Sequence, residues 1–158
     1  MKVLFVCLGN ICRSPLAEGI FLHKVNEKGL AHQLEADSCG TSNYHIGDQP
    51  DPRTVHNALQ HGIILQHACR QLTAADLEYF DMIIPMDKNN RNDILRLEHA
   101  ELYAEKIFMM RDFDPDARDL DVPDPYTGGA QQFEEVFNIL NRCTENLIQH
   151  LTRHQRML

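Results

Sequence analysis

Residues 3–15 read Val-Leu-Phe-Val-Cys-Leu-Gly-Asn-Ile-Cys-Arg-Ser-Pro. The apolar run at 3–6 is typical of a β-strand that is buried on both faces. The Ser-Pro pair at its far end is typical of the start of a helix, with Ser14 as the predicted cap. This short stretch therefore predicts a strand, a loop and a helix in direct succession.

Strands and helices alternate along the rest of the chain. This alternation predicts an α/β fold, a three-layer sandwich whose four-stranded parallel sheet is flanked by helices on both faces. Ligands of such sheets bind at the carboxyl ends of strands, and the first such end here is Cys7. The predicted strands are 3–6, 34–38, 82–84 and 107–110, and the predicted helices are 14–29, 51–62, 73–80, 88–98 and 131–154. Thr73 is the predicted cap of the third helix. The last helix carries a predicted apolar stripe of Phe133, Val136, Phe137, Leu140, Leu147 and Leu151.

Length and composition narrow the class of protein. The 158 residues suit a single domain, 1–158, and the net charge of −8 argues against nucleic-acid binding. We expect no membrane span, because no segment approaches the ~20 apolar residues that a span needs. Five cysteines without framework spacing, and an apolar N-terminal run too short for a signal peptide, favour the cytoplasm.

The first loop has the chemistry of an anion site with a nucleophile at its base. Backbone N–H groups and a helix N-terminus attract an oxyanion, and Arg13 offers a planar fork for two of its oxygens. The same positive field favours the thiolate of Cys7, to which the Ser14 hydroxyl can donate a hydrogen bond. Asn10 tolerates the left-handed backbone conformation that a tight loop can need. The alternative is a buried strand-end cysteine and a surface arginine, but the neighbouring strand and helix favour the anion site. The predicted phosphate-binding residues are Leu8, Gly9, Asn10, Ile11, Cys12, Arg13 and Ser14.

Residues 6–15 resemble the signature loop of the low-molecular-weight protein tyrosine phosphatases almost residue for residue. Asp124-Pro125-Tyr126 resembles the second motif of that family, which carries the general acid. The resemblance implies metal-independent hydrolysis of phosphotyrosine through a phosphocysteine intermediate, without a cofactor. It implies Cys7 as nucleophile, Arg13 as phosphate clamp and Asp124 as general acid and base. Residues 37–38, 50–53, 61–63 and 86–87 also follow the order and spacing of the family.

The resemblance also implies supporting roles around the loop. Asn10, Ser14, Ser38 and His67 would hold the loop in shape by hydrogen bonds, although His67 by itself suggests an ordinary surface histidine. The side chains of Leu8, Tyr44 and Tyr126 would wall a pocket whose depth suits an aromatic phosphomonoester. For Tyr126 the alternative is a half-buried loop tyrosine.

Asp124 stands in a crowded acidic loop, so the resemblance alone selects it. We expect most of the other aspartates to be solvated. Residues 112–116 have the aspartate spacing with which a calcium-binding loop begins. The sixth position of such a loop is Ala117 here instead of glycine, and the twelfth is Pro123 instead of glutamate, so a metal site is rejected. The competing aspartates are Asp112, Asp114, Asp116, Asp119 and Asp121.

Two loop residues bear on substrate and regulation. Relatives that act on phosphoarginine carry a threonine where this chain has Ile11, so the resemblance favours phosphotyrosine. Cys12 is either a redox partner that closes a disulfide with Cys7 or a small buried loop residue, and both interpretations stay open.

Three other functions compete with the phosphatase hypothesis. Arsenate reduction on this scaffold needs two further cysteines close together, whereas Cys69 stands alone. A phosphate-binding module would be expected to lack the nucleophile or the acid, and a metal-dependent phosphatase would need clustered His and Asp ligands. The expected partner is a phosphotyrosine protein, with a bacterial tyrosine kinase as one candidate, and the expected state is a monomer or weak dimer.

Overall fold

The computed structural model describes residues 1–117 and 120–156, which form an α/β fold around a parallel sheet. The strands are β1 (Lys2–Cys7), β2 (Glu35–Gly40) and β3 (Met82–Pro85), in the spatial order β2-β1-β3. The α-helices are α1 (Arg13–Glu27), α2 (Pro52–Gln60), α3 (Ala74–Tyr79), α4 (Lys88–Leu95) and α5 (Ala130–Arg156), and two 3₁₀ helices cover Ala100–Lys106 and Met110–Phe113.

The central strand, β1, is buried on both faces as predicted. Val3 and Phe5 belong to a core cluster with side chains of α1 and α5, while Leu4 and Val6 belong to a second cluster with side chains of α3 and α4. Successive residues of a strand point to opposite faces, so helices cover both sides of the sheet. Burial of each such side chain contributes about 1.5–3 kcal/mol. The carboxyl end of β1, where Cys7 lies, is thereby held rigidly between two packed layers.

The prediction of a fourth strand at 107–110 is wrong for the described residues, which contain three strands. Ile107 makes one parallel bridge to Ile83, and the Phe108 N–H donates to the Ile83 carbonyl at 3.1 Å. The Asp112 carboxylate then accepts from the Met109 N–H at 3.0 Å, which caps a 3₁₀ helix. The chain therefore runs beside β3 and leaves the sheet edge after a single bridge.

The predicted helix starts had mixed outcomes. Asp51 caps α2 by accepting from the Arg53 N–H at 2.9 Å, and Thr73 precedes α3 with its N–H bonded to the Asp76 carboxylate at 2.8 Å. Ser14, however, lies inside α1, which begins at Arg13 with no side-chain cap. The Ser14 hydroxyl is instead directed to the side chains of the first loop.

The long C-terminal helix, α5, buries the apolar stripe that the sequence predicts. Its polar side carries residues such as Glu145, which accepts a hydrogen bond from Lys24 of α1 at 3.1 Å. Within the described residues, no helix is both long enough and apolar enough to cross a membrane. The buried residues of the predicted stripe are Phe133, Val136, Phe137, Leu140, Leu147 and Leu151.

Candidate active site

Cys7 is the last residue of β1, and its side chain is buried at the base of the loop. The Ser14 hydroxyl lies 3.0 Å from the Cys7 sulfur, and the Asn10 N–H donates to the same sulfur at 3.3 Å. Hydrogen bonds of this kind stabilise negative charge on sulfur. The predicted contact between Ser14 and Cys7 is therefore present, and the loop adds a backbone donor.

The loop backbone turns around this sulfur in a conformation that two residues make possible. Asn10 has φ of 58°, the left-handed conformation that the sequence suggests for it. Gly40 ends β2 directly against the loop, where a Cβ would lie 2.7 Å from the Leu8 carbonyl oxygen, so only glycine fits there without movement. Among the described residues, the N–H groups of Gly9, Ile11, Cys12 and Arg13 have no acceptor, so they are available to an oxyanion.

The structure brings together the four residues expected to support the loop. The Asn10 amide nitrogen donates to the hydroxyls of Ser14 at 2.8 Å and Ser38 at 3.1 Å. Its amide oxygen accepts from the His67 Nε2 at 2.6 Å. His67 is thus part of a buried network, and the alternative of an ordinary surface histidine is wrong.

Glu18 completes this network and was not among the residues predicted from the sequence. The Ser38 hydroxyl donates to Glu18 at 2.7 Å, and His67 Nδ1 lies 3.3 Å from the same carboxylate oxygen. Burial raises the pKa of Glu18 to about 7 and lowers the pKa of His67, because it disfavours the charged form of each group. The spacing from Ser14 to Glu18, one turn along the same face of α1, is the signal that could have identified it.

Glu18, Asp37 and His67 are the described residues whose ligand atoms converge enough to consider a metal ion, within 4.8 Å of one another. Their polar atoms are already engaged, however. The Asp37 carboxylate accepts from the Ser38 N–H at 2.8 Å and from the Arg70 guanidinium at 2.9 Å. These contacts favour an internal ion-pair network over a metal centre.

Arg13 is held in place by two groups from distant elements. Its Nη1 donates to the Asp87 carboxylate at 2.8 Å and to the Val122 carbonyl at 2.9 Å. Burial opposes its charge, but the Cys7 sulfur and the Asp87 carboxylate outweigh that cost and raise the pKa of Arg13. Asp87 also caps α4 through the Asn90 N–H at 2.7 Å, so the guanidinium is aimed by a fixed carboxylate. In the sequence, Asp87 stands out only as part of the family spacing.

Asp124 is distinguished from its acidic neighbours by position. One of its oxygens lies 3.8 Å from Nη2 of Arg13, its side chain is half exposed, and it lines the same cavity as Cys7. Most of the other aspartates were expected to be solvated; Asp114 is an exception, because it is fully buried between Arg111 and Arg142, each at 3.1 Å. Asp119 lies outside the described residues.

The walls of the cavity contain the predicted apolar and aromatic residues. The cavity measures about 370 Å³, with Cys7 and Arg13 at its base. Leu8, Tyr44 and Tyr126 line it and remain substantially exposed, with 72% of Tyr44 accessible. His45 also lines the cavity and packs over Gly9; nothing in the sequence pattern singled it out.

Cys12 lines the same cavity as Cys7, and both thiols are free. Burial raises the pKa of Cys12 to about 12, so this residue is a neutral thiol at physiological pH. A disulfide with Cys7 stays one of the two interpretations of Cys12.

The family model and the relatives that match this chain name the same family. A family model described as low molecular weight phosphotyrosine protein phosphatase matches residues 2–157. A low molecular weight protein-tyrosine-phosphatase of Streptomyces coelicolor is 41% identical over 149 residues, which cover 93% of this chain and 91% of the relative.

Two solved structures share the fold. A protein tyrosine phosphatase from Entamoeba histolytica, with Hepes in its active site, has 39% identity and a TM-score of 0.92 over 98% of this chain and 99% of that one. The YwlE arginine phosphatase, a C7S mutant with a phosphorylated active-site serine, has 25% identity and a TM-score of 0.88 over 100% of both chains. With a family model over nearly its whole length and a relative above 40% identity, this chain belongs to the low molecular weight phosphotyrosine protein phosphatase family.

Proposed function

We propose that this protein hydrolyses phosphotyrosine in proteins, and other aryl phosphate monoesters, without a metal and through a phosphocysteine intermediate. One observation carries the proposal: a cysteine, an arginine and an aspartate converge on one cavity around a loop of free N–H groups. Such a site supplies a nucleophile, stabilisation for three phosphoryl oxygens and a proton for the leaving group.

The reaction has two balanced steps. The Cys7 thiolate attacks phosphorus in line, so that a sulfur–phosphorus bond forms while the bond to the phenolic oxygen breaks. Asp124 gives its proton to the departing oxygen, then takes a proton from the water that attacks the phosphocysteine. Inorganic phosphate leaves and the thiolate is restored, with the Ser14 hydroxyl stabilising the sulfur in both steps. The loop N–H groups and Arg13 hold the equatorial oxygens throughout.

The shape of the cavity supports an aromatic substrate. Tyr44 and Tyr126 can stack against a phenyl ring while the phosphate reaches Cys7 at the base. A phosphoserine side chain is too short to span the walls and reach the sulfur. The acidic loop beside the cavity disfavours strongly acidic residues around the phosphotyrosine.

The identity of the phosphorylated side chain is testable because the family fold includes an arginine phosphatase. Ile11 lines the cavity with an apolar side chain that offers no hydrogen bond to a guanidinium. We expect kcat/KM for a phosphotyrosine peptide to exceed that for a phosphoarginine peptide by at least about tenfold, and Ile11→Thr to narrow the ratio. Phosphate release from matched peptides measures the two kcat/KM values. Comparable turnover of the two peptides by the unaltered protein would contradict the preference for phosphotyrosine.

The role of Asp124 predicts a dependence on the leaving group. In EDTA, Asp124→Ala should lower kcat/KM by about 10²-fold for phenyl phosphate, whose phenolate is a poor leaving group. The loss should be much smaller for p-nitrophenyl phosphate, whose leaving group needs less protonation. Asp116→Ala removes an exposed carboxylate of the same loop and should change neither rate. An equal loss for all leaving groups would point to another acid.

We further propose that residues 1–158 act as one domain in the cytoplasm, as a monomer or weak dimer. The span of the family match supports the single domain. Free cysteines throughout the described chain are compatible with a reducing compartment. A phosphotyrosine protein, such as a bacterial tyrosine kinase, would be the partner.

A further inference from the structure

Asp124 is part of a compact turn. Its carboxylate accepts from the Tyr126 N–H at 3.1 Å, and the Gly128 N–H donates to the Pro125 carbonyl at 2.9 Å. The position of the Asp124 carboxylate is therefore set by the position of this turn. Counting only the described part of the chain, the polar and ring contacts from this turn to other elements go to Arg13 and Arg53.

The contact with Arg13 is too loose to position the acid by itself. Its closest approach to Asp124 is 3.8 Å, beyond ordinary hydrogen-bond length, and half of the Asp124 side chain is exposed. An ion pair at this distance, with its carboxylate half exposed, contributes little to rigidity.

Arg53 contacts the turn at two points. Its Nη1 donates to the Gly128 carbonyl at 3.4 Å, and its guanidinium carbon lies 5.4 Å from the centre of the Tyr126 ring. The same guanidinium lies 4.7 Å from the ring of Phe133, which is buried in α5. The guanidinium therefore contacts the turn through one carbonyl and one ring, and it contacts α5 through the other ring.

The other side of Arg53 is tied to the phosphate-binding loop. Its Nε and Nη2 donate to the two oxygens of Asp51 at 3.1 and 2.9 Å, and this pairing lowers the pKa of Asp51. The Asp51 N–H donates to the Ile11 carbonyl at 2.8 Å. A continuous set of contacts therefore runs from the loop around Cys7 through Asp51 and Arg53 to the turn that carries Asp124.

We propose that Arg53 is a positioning residue, which sets the distance between the Asp124 carboxylate and the oxygen that leaves phosphorus. The inference rests on the proposed function, because it gives Asp124 the role of general acid. Arg53 is outside the residues that line the reaction cavity in the described chain, so it acts through the turn and not on the phosphate. Lysine would keep the charge but lose the planar fork that engages Asp51 and the rings together.

The test is the dependence of kcat/KM on leaving-group pKa for a series of substituted phenyl phosphates in EDTA. Displacing a catalytic group by about an ångström can cost as much as ~10²-fold, so Arg53→Gln should lower kcat/KM about tenfold for phenyl phosphate. For 2,4-dinitrophenyl phosphate, which needs little protonation, the loss should stay below about twofold. The kcat/KM of Arg53→Lys for phenyl phosphate should lie between the values for Arg53→Gln and for the unaltered protein.

A double-variant comparison shows whether Arg53 acts through Asp124. When Asp124→Ala is already present, adding Arg53→Gln should leave the rates unchanged, because the group that it positions is gone. Arg96→Gln is the matched control, since Arg96 is an exposed arginine that pairs with the carboxylate of Asp93. Its rates should equal those of the unaltered protein.

The outcomes separate the two claims. If Asp124→Ala fails to steepen the leaving-group dependence, the proposed general acid is wrong. If Asp124→Ala steepens it but the Arg53 variants leave it unchanged or lower all rates equally, the positioning role is overturned while the proposed function stands. Thermal unfolding of both Arg53 variants identifies a folding defect, and Arg53→Lys retains the cation if Arg53→Gln does not fold.

Discussion

Cys7→Ser is expected to abolish turnover, lowering kcat for p-nitrophenyl phosphate by at least about 10⁴-fold in EDTA. A serine hydroxyl is not ionised at neutral pH, so the donors that stabilise a thiolate, the Ser14 hydroxyl and the Asn10 N–H, cannot generate a comparable nucleophile. The substitution is nearly isosteric, and the loop donors remain in place. The variant should therefore still bind inorganic phosphate with a Kd close to that of the unaltered protein, measured by calorimetry.

Cys143→Ala provides the control for loss of a buried thiol away from the cavity, because Cys143 lies in α5. Its activity should stay near that of the unaltered protein. Turnover that survives Cys7→Ser, or that requires added metal, would overturn the phosphocysteine mechanism.

Arg13→Lys should have the second-largest effect, a loss of about 10³-fold in kcat/KM. The guanidinium binds Asp87 and the Val122 carbonyl through one nitrogen and leaves its other donors for phosphate oxygens, a division of roles that one ammonium cannot reproduce. Arg13→Ala should also lower the free energy of unfolding by about 3 kcal/mol, because it leaves the largely buried Asp87 carboxylate without its cationic partner.

Asp87→Asn tests how much the charge of Asp87 contributes to catalysis and to stability through its pair with Arg13. Asp87 accepts from Arg13 through one oxygen and from the Asn90 N–H through the other, so asparagine keeps an acceptor for one of these donors and removes the charge. Because the guanidinium of Arg13 is retained, kcat/KM should fall less than in Arg13→Lys. Steady-state kinetics and denaturant unfolding of Arg13→Lys, Arg13→Ala and Asp87→Asn give kcat/KM and the free energy of unfolding. An Arg13→Lys variant with near-normal kcat/KM would show that the guanidinium fork is not needed for catalysis.

The first loop was the most predictable part of the molecule because its determinants are local. The apolar strand, the left-handed Asn10 and the donors around Cys7 all lie within a few residues of one another, where backbone sterics and short-range hydrogen bonds dominate. The same holds for the apolar stripe of α5, whose period shows which face is buried. Local patterns were misleading where a side chain contacts groups that its own motif does not show. Ser14 has the sequence of a cap but contacts Cys7, and Asp114 has the sequence of a solvated loop but lies between two arginines.

From residue types and spacing alone, the chain could be assigned a strand-loop-helix anion site with Cys7 and Arg13 in it. Only the tertiary structure showed that Asp87 aims the arginine, that Glu18 closes the network behind the loop, and that Arg53 contacts the turn of Asp124. The physical reason is separation along the chain: Arg13 and Asp87 lie 74 residues apart. Contacts of that kind form when packed helices and strands bring their ends together, and no periodicity of the sequence encodes them.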